Sequence, residues 1–141
     1  MNQSARVRFG TEDDFEAVVR LEHLEDHAAY RHCLEQRRYF LLDQGDAIVG
    51  LARLDRFLDS VPYLGYNFIE TDARGRGYSR LLLEAVIEQA RALNQPRLFS
   101  SSDANEPTPQ AWHRHVGFRD AGTIRDLNDY GGDEVFFCLD L

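Results

Sequence analysis

The segment Asp72-Ala73-Arg74-Gly75-Arg76-Gly77-Tyr78-Ser79-Arg80 has residue types and spacing suited to holding an anion. Two glycines let the backbone turn tightly and present successive N–H groups. The apolar positions that follow, Leu81, Leu82, Ala85, Val86 and Leu93, have the three-and-four spacing of a helix buried on one face. Backbone N–H groups gathered at a helix N-terminus are a natural cradle for a phosphate or pyrophosphate. Arg74, Arg76 and Arg80 against the single Asp72 make this stretch locally positive. The plainer alternative is an ordinary strand-to-helix turn. Two known phosphate motifs do not fit. A P-loop ends in Gly-Lys-Ser/Thr, and the chain has no lysine. A dinucleotide fingerprint needs a third glycine where Arg80 stands and an acidic residue about twenty positions on, where Leu98-Phe99-Ser100 has none.

Other polar groupings are weaker. His23 and His27 are four apart with His32 beyond, but the pentad is His-Leu-Glu-Asp-His rather than His-Glu-x-x-His, and a solvated helix face accounts for it. No metal is expected. Ser100, Ser101 and Ser102 beside Asp103 lack a Gly-x-Ser-x-Gly elbow and read as the end of a strand lining a channel. The acidic stretch from Asp126 to Glu134 reads as a solvated turn, or as a rim that attracts a cationic amine.

The elements that would carry these groups alternate along the chain. Arg6 to Phe9 alternates as a half-buried strand, and Thr11-Glu12-Asp13-Asp14 has the Thr-x-x-acidic form of a helix start. A second helix over Ala28 to Arg38 leads to a hairpin of Tyr39–Leu42 and Ala47–Leu54 around Asp43-Gln44-Gly45-Asp46. Val61 to Ile69 is a third sheet segment, followed by the glycine turn and its helix, which Gln95-Pro96 ends. A strand at Arg97–Ser100, a helix opened by Pro107 and running to about His115, and strands near Phe118–Ile124 and Val135–Leu139 complete the order.

Composition narrows the function. The 141 residues, with no repeat or linker, imply one domain over 1–141. All 16 basic residues are arginine against 24 acidic ones, a net charge of −8, which opposes binding to a phosphate backbone and so to nucleic acid. The lack of lysine also removes Schiff-base chemistry. No apolar run is long enough for a membrane span, and the first residues lack a signal-peptide core. Cys33 and Cys138 match no metal or disulfide spacing, so a reduced cytoplasmic setting is the expectation.

Arg74-Gly75-Arg76-Gly77-Tyr78-Ser79 followed by Leu81-Leu82-Leu83 resembles the Arg/Gln-x-x-Gly-x-Gly/Ala loop of the GNAT superfamily of N-acetyltransferases, with Ser79 in place of the final Gly or Ala. A second segment, Asn105 and then Ala111-Trp112-His113-Arg114-His115-Val116-Gly117-Phe118, resembles that family's Asn-helix-Gly-Phe element. The resemblance implies a single α/β domain with a mixed, mostly antiparallel sheet flanked by helices, whose central strands splay apart to admit acetyl-CoA. It implies that the backbone of Arg74, Gly75, Arg76, Gly77, Tyr78 and Ser79 holds the pyrophosphate, and that Phe68 and Ile69 bind the pantetheine amides and orient the thioester. Asn105 would contact the pantetheine, although its spacing to His113 is one longer than usual; otherwise it caps the helix that Pro107 begins.

Direct acetyl transfer to an amine needs a base for the ammonium, and an acid helps the thiolate depart. Glu70 follows the core strand and precedes the loop, a position for the base; the plainer reading is a solvated strand-end carboxylate. The acid in the resembled family is a Tyr four residues before Gly-Phe, and here that position is His113, whose imidazole can exchange a proton near neutrality. Tyr63, Tyr66, Tyr78 and Tyr130 are alternative phenols. The expected activity is transfer of an acetyl group from acetyl-CoA to a small-molecule primary amine, a cationic one in view of the acidic balance, with homodimers common in families of this type. The alternative is an acyl-CoA-binding regulatory domain without turnover.

Overall fold

The computed structural model describes residues 4–23, 26–128 and 131–141, and the chain divides into two compact units. One comprises Met1–Asp55 with Gly65–Gln89, the other Arg56–Leu64 with Ala90–Leu141.

The first unit begins with β1 (Ala5–Phe9), whose residues pair antiparallel with β2 (Tyr39–Gln44), as in Val7↔Leu42. The expected helix start at Thr11 is present: Thr11 N–H donates to the Asp14 carboxylate at 2.8 Å. A short 3-10 turn over Glu12–Asp14 precedes α1 (Phe15–Glu22). Helix α1 ends where His23 adopts φ 63°, and α2 (His27–Glu35) is capped by the Asp26 carboxylate accepting from Ala28 and Ala29 N–H. His23 therefore follows the end of one helix and His27 opens the next, so the two do not share a helix face. Strand β2 turns at Gly45-Asp46 into β3 (Ala47–Phe57).

The unbroken apolar run Tyr39–Leu42 has a physical cause: this part of the sheet is covered on both faces. Tyr39, Leu41 and Leu51 join Val18, Leu21, Tyr30 and Leu34 of α1 and α2 in one core cluster. Gly50 lies on the opposite face, where an added Cβ would meet Ile69 and Leu82 of α3 (Tyr78–Ala92). A charged network also lies within this unit. Buried Glu22 accepts from the Tyr39 hydroxyl and pairs with Arg53, while Asp55 bridges Arg53 and Arg38. Gly65 faces it so closely that a Cβ there would overlap the Asp55 carboxylate.

Strand β4 (Val61–Ile69) has the bounds the sequence implies. Its first residues belong to the second unit, with β5 (Arg97–Asp103), α4 (Pro107–His115), β6 (Arg119–Ile124) and β7 (Glu134–Asp140). The seven strands are ordered β1-β2-β3-β4-β5-β7-β6. Parallel β4 and β5 need a crossover, which α3 supplies. Their ladder contains Tyr63↔Phe99 and Leu64↔Ser100, both within the second unit. Several boundaries differ from the sequence reading. Helix α2 ends at Glu35 rather than Arg38, β3 extends to Phe57 rather than Leu54, α3 ends at Ala92, two residues before Asn94 with φ 58°, and β5 continues through Ser101 and Ser102 because β7 pairs with it from Arg97 to Asp103. Among the described residues no helix is long and apolar enough to cross a membrane.

Candidate active site

The glycine turn lies at the exit of β4, after a 3-10 turn over Thr71–Ala73. Gly75 and Gly77 both have φ +78°, a conformation that side-chain-bearing residues rarely adopt, and nothing among the described residues lies within 4 Å of where a Cβ would be. The glycines answer to backbone conformation, then, and to an open space in front of the loop. Leu81 N–H donates to Gly77 O, so Gly77 caps α3 and the first turn of that helix follows directly.

The three arginines of the loop are exposed but not equivalent. Arg74 folds back: its Nε–H donates to Ile69 O at 2.9 Å and its guanidinium stands 5.5 Å from the Phe68 ring centroid. Among the described residues Arg76 and Arg80 have no ion-pair partner, and they carry the loop's free positive charge. Asn67 on β4 donates weakly to Ser79 O at 3.5 Å, and among the described residues its buried Oδ1 has no hydrogen-bond partner. An orphaned buried acceptor costs stability unless a ligand donor meets it.

Glu70 leaves β4 with its N–H on Val49 O, and its carboxylate is paired with Arg20 of α1, which also donates to Ile48 O at 3.0 Å. The pair stands at the exposed end of the strand, so Glu70 is a strand-end carboxylate with an arginine partner.

His113 lies in the second unit and is 5% exposed. Its ring stacks on Phe137 with centroids 4.5 Å apart and meets Phe118 edge-on. Nδ1 is 2.7 Å from Pro109 O and Nε2 is 2.7 Å from Ser100 Oγ. A carbonyl only accepts, so Nδ1 carries a proton, and in the neutral ring Nε2 accepts from the Ser100 hydroxyl. That hydroxyl also lies 3.1 Å from Leu64 O, the last rung of the β4–β5 ladder. A serine has one proton to give: it serves His113 when the ring is neutral and Leu64 O when the ring is charged. Burial lowers the His113 pKa, with nearby Arg114 adding to the effect and the Pro109 hydrogen bond opposing it.

The model of the Acetyltransferase (GNAT) family matches residues 6–118. The chain belongs to this family. Its fold is shared with solved GNAT structures. Ard1 from Thermoplasma volcanium superposes with a TM-score of 0.85 at 12% identity, covering 97% of each chain. A ribosomal-protein-alanine N-acetyltransferase from Brucella melitensis gives 0.80 at 25% identity, covering 96% of this chain and 99% of that one. The NatC complex bound to Gag peptide and CoA gives 0.80 at 16%, covering 98% and 99%. No curated protein sequence matches the chain. As a GNAT protein the chain is an acyltransferase of the N-acetyltransferase type.

The remaining residues singled out from the sequence have the following surroundings. Asn105 is exposed, and the N-cap of α4 is Glu106, so the capping alternative for Asn105 does not hold. Asn105 N–H instead closes a turn on the Asp103 carboxylate at 2.7 Å. Among the phenols, Tyr66 donates to Leu21 O and burial raises its pKa, and Tyr78 is buried and accepts from Gln44. Tyr63 bonds to Ser101, and Tyr130 lies outside the described residues. Sequence reasoning missed Arg20 as the partner of Glu70 and Ser100 as the partner of His113. Neither pairing has a local signal, because the partners are 50 and 13 residues apart.

Proposed function

We propose that this GNAT protein transfers an acetyl group from acetyl-CoA to the primary amine of a small molecule by direct attack in a ternary complex, the 1–141 chain acting as one cytoplasmic domain. The observation that carries the reading is the pair of positive-φ glycines opening onto free space at the start of α3. Bound acetyl-CoA supplies an activated thioester. The backbone of Arg74 to Ser79 would hold its pyrophosphate, with Arg76 and Arg80 adding charge. Phe68 and Ile69 backbone would meet the pantetheine amides, and the unpartnered Asn67 Oδ1 fits an amide N–H there. Asn105 stands exposed ahead of α4 for the same arm.

Glu70 takes the proton of the attacking ammonium, held in position by Arg20. His113 exchanges protons only by way of the Ser100 hydroxyl, since both ring nitrogens are engaged. Free, buried Cys33 and Cys138 are compatible with a reduced compartment.

The test is release of CoA thiol from acetyl-CoA with a panel of small amines and, because the Brucella and NatC relatives carry a ribosomal-protein alanine and a Gag peptide in their names, alanine-terminated peptides. The expected result is small-amine-stimulated release, with Glu70→Gln lowering kcat and leaving the KM for acetyl-CoA unchanged. Acetylation of peptides alone moves the protein to a protein-modifying role, and tight acetyl-CoA binding without release by any amine leaves a binding module.

A further inference from the structure

The second unit contains an open pocket that the cofactor reading does not use. Tyr63, Ser101 and Glu134 form a hydrogen-bond chain across β4, β5 and β7. Ser101 Oγ donates to Glu134 Oε2 at 2.7 Å, and a serine has one proton, so the Tyr63 hydroxyl is the donor to Ser101. Every proton of the chain thus points toward the carboxylate. The chain is set in a cavity of about 350 Å³, walled by Phe57, Tyr63 and Phe136 and edged by Leu127 and Asn128. The three aromatic rings are mutual neighbours, with centroids 5.7–6.4 Å apart. A second cavity of about 360 Å³ shares Phe57 and Phe136 as a wall and is otherwise lined by apolar or small groups, among them Val61, Phe99 and Ile124.

Glu134 differs from Glu70 in one respect that matters to a cation: among the described residues no arginine pairs with it, whereas Glu70 has Arg20. An ammonium in a pocket lined by three aromatic rings and one carboxylate gains a charged hydrogen bond and, wherever a ring face is open to it, cation–π attraction. An apolar body continuing past Phe57 and Phe136 finds the second cavity. A polycation gains little from a single carboxylate beside such a wall.

We propose that this bipartite pocket of the second unit is a ligand site for an amphipathic monoamine, with the ammonium on Glu134 and an aryl or alkyl body over Phe57 and Phe136. The proposal goes beyond the acetyl-transfer reading and does not depend on it. Glu134 is a specificity-determining residue for this ligand, and Ser101 and Tyr63 position it.

The test uses 2-phenylethylamine as probe, with uncharged 2-phenylethanol, spermidine and an alanine-terminated peptide as comparisons, and calorimetry reads binding. The proposal expects 2-phenylethylamine to bind in preference to the others, with 2-phenylethanol failing to displace it. Glu134→Gln raises the Kd for the amine by about tenfold or more, with the Kd for CoA and the melting temperature unchanged. Phe57→Ser raises the same Kd and also lowers the melting temperature, because its contacts with Tyr63 and Phe136 are lost. Preference for spermidine or the peptide, or an amine Kd within twofold of wild type in Glu134→Gln, overturns the proposal.

Discussion

The glycine turn and the His113 cluster stand at opposite extremes of how a protein holds polar groups. In the turn the polar groups are backbone, the arginines are exposed, and nothing crowds Gly75 or Gly77. Around His113 the polar groups are side chains, the ring is stacked on Phe137, and both nitrogens already have partners inside the unit. The first arrangement is a surface prepared for a ligand. The second is a filled site whose freedom lies in the proton of one hydroxyl. A loop built on backbone conformation can be recognised from its glycines alone, whereas a side chain at a motif position takes its role from neighbours that the motif does not name.

Substitutions divide the two regions in order of expected effect. Gly77→Val forces a β-branched residue into φ +78°, a strain on the order of 1–3 kcal/mol. The loop shifts in response, and acetyl-CoA affinity measured by calorimetry falls by about a hundredfold or more. Unchanged affinity would remove the loop from the cofactor site.

His113→Phe acts on stability instead: losing two hydrogen bonds in a buried setting costs about 2–3 kcal/mol and lowers the melting temperature by several degrees. It also changes the pH dependence. Burial holds the folded-state pKa of His113 below the unfolded value of ~6.5. Below that pH the unfolded chain takes up a proton that the folded chain refuses, so stability is full above ~6.5 and erodes as the pH falls, by at most ~1.4 kcal/mol per unit. Denaturant titrations between pH 7.5 and 5 should show this slope in wild type and a flatter one in the variant. An equal slope in both would place the titrating group elsewhere.

Ser100→Ala removes one buried hydrogen bond, about 1–1.5 kcal/mol. The ¹⁵N signal of His113 Nε2 should move, since its donor is gone, while acetyl-CoA affinity stays constant.

The smallest effect belongs to Arg74→Ala. Its guanidinium is committed to Ile69 O, so the variant loses under about 1 kcal/mol and keeps the salt dependence of acetyl-CoA binding. Arg76→Ala should flatten that dependence. If Arg74→Ala flattens it as much, Arg74 belongs with the free charges of the loop.

Much of the architecture was legible in the chain because local patterns agreed with the tertiary outcome. Thr11 with Asp14, Pro107 at the opening of α4, and Val61–Ile69 as one strand all survive folding unchanged. The turn at Gly75–Gly77 was legible for the same reason. What could not be read is what depends on partners distant in sequence. Arg20 reaches Glu70, Ser100 reaches His113, and Ser101 joins Tyr63 to Glu134 only once the strands are in register. Strand order is a further case: β7 inserts between β5 and β6, and no turn signal announces it.

Gly65 and Asp55 share a single volume, for the carboxylate fills the place where a side chain at 65 would begin. The two positions are therefore constrained to change together through evolution. A lineage that gains a side chain at 65 displaces the Asp55 carboxylate, and Arg38 and Arg53 then lose or re-form the contacts to their shared counter-ion. In descendants of this protein, an absent β-carbon and a retained aspartate should be inherited as a pair.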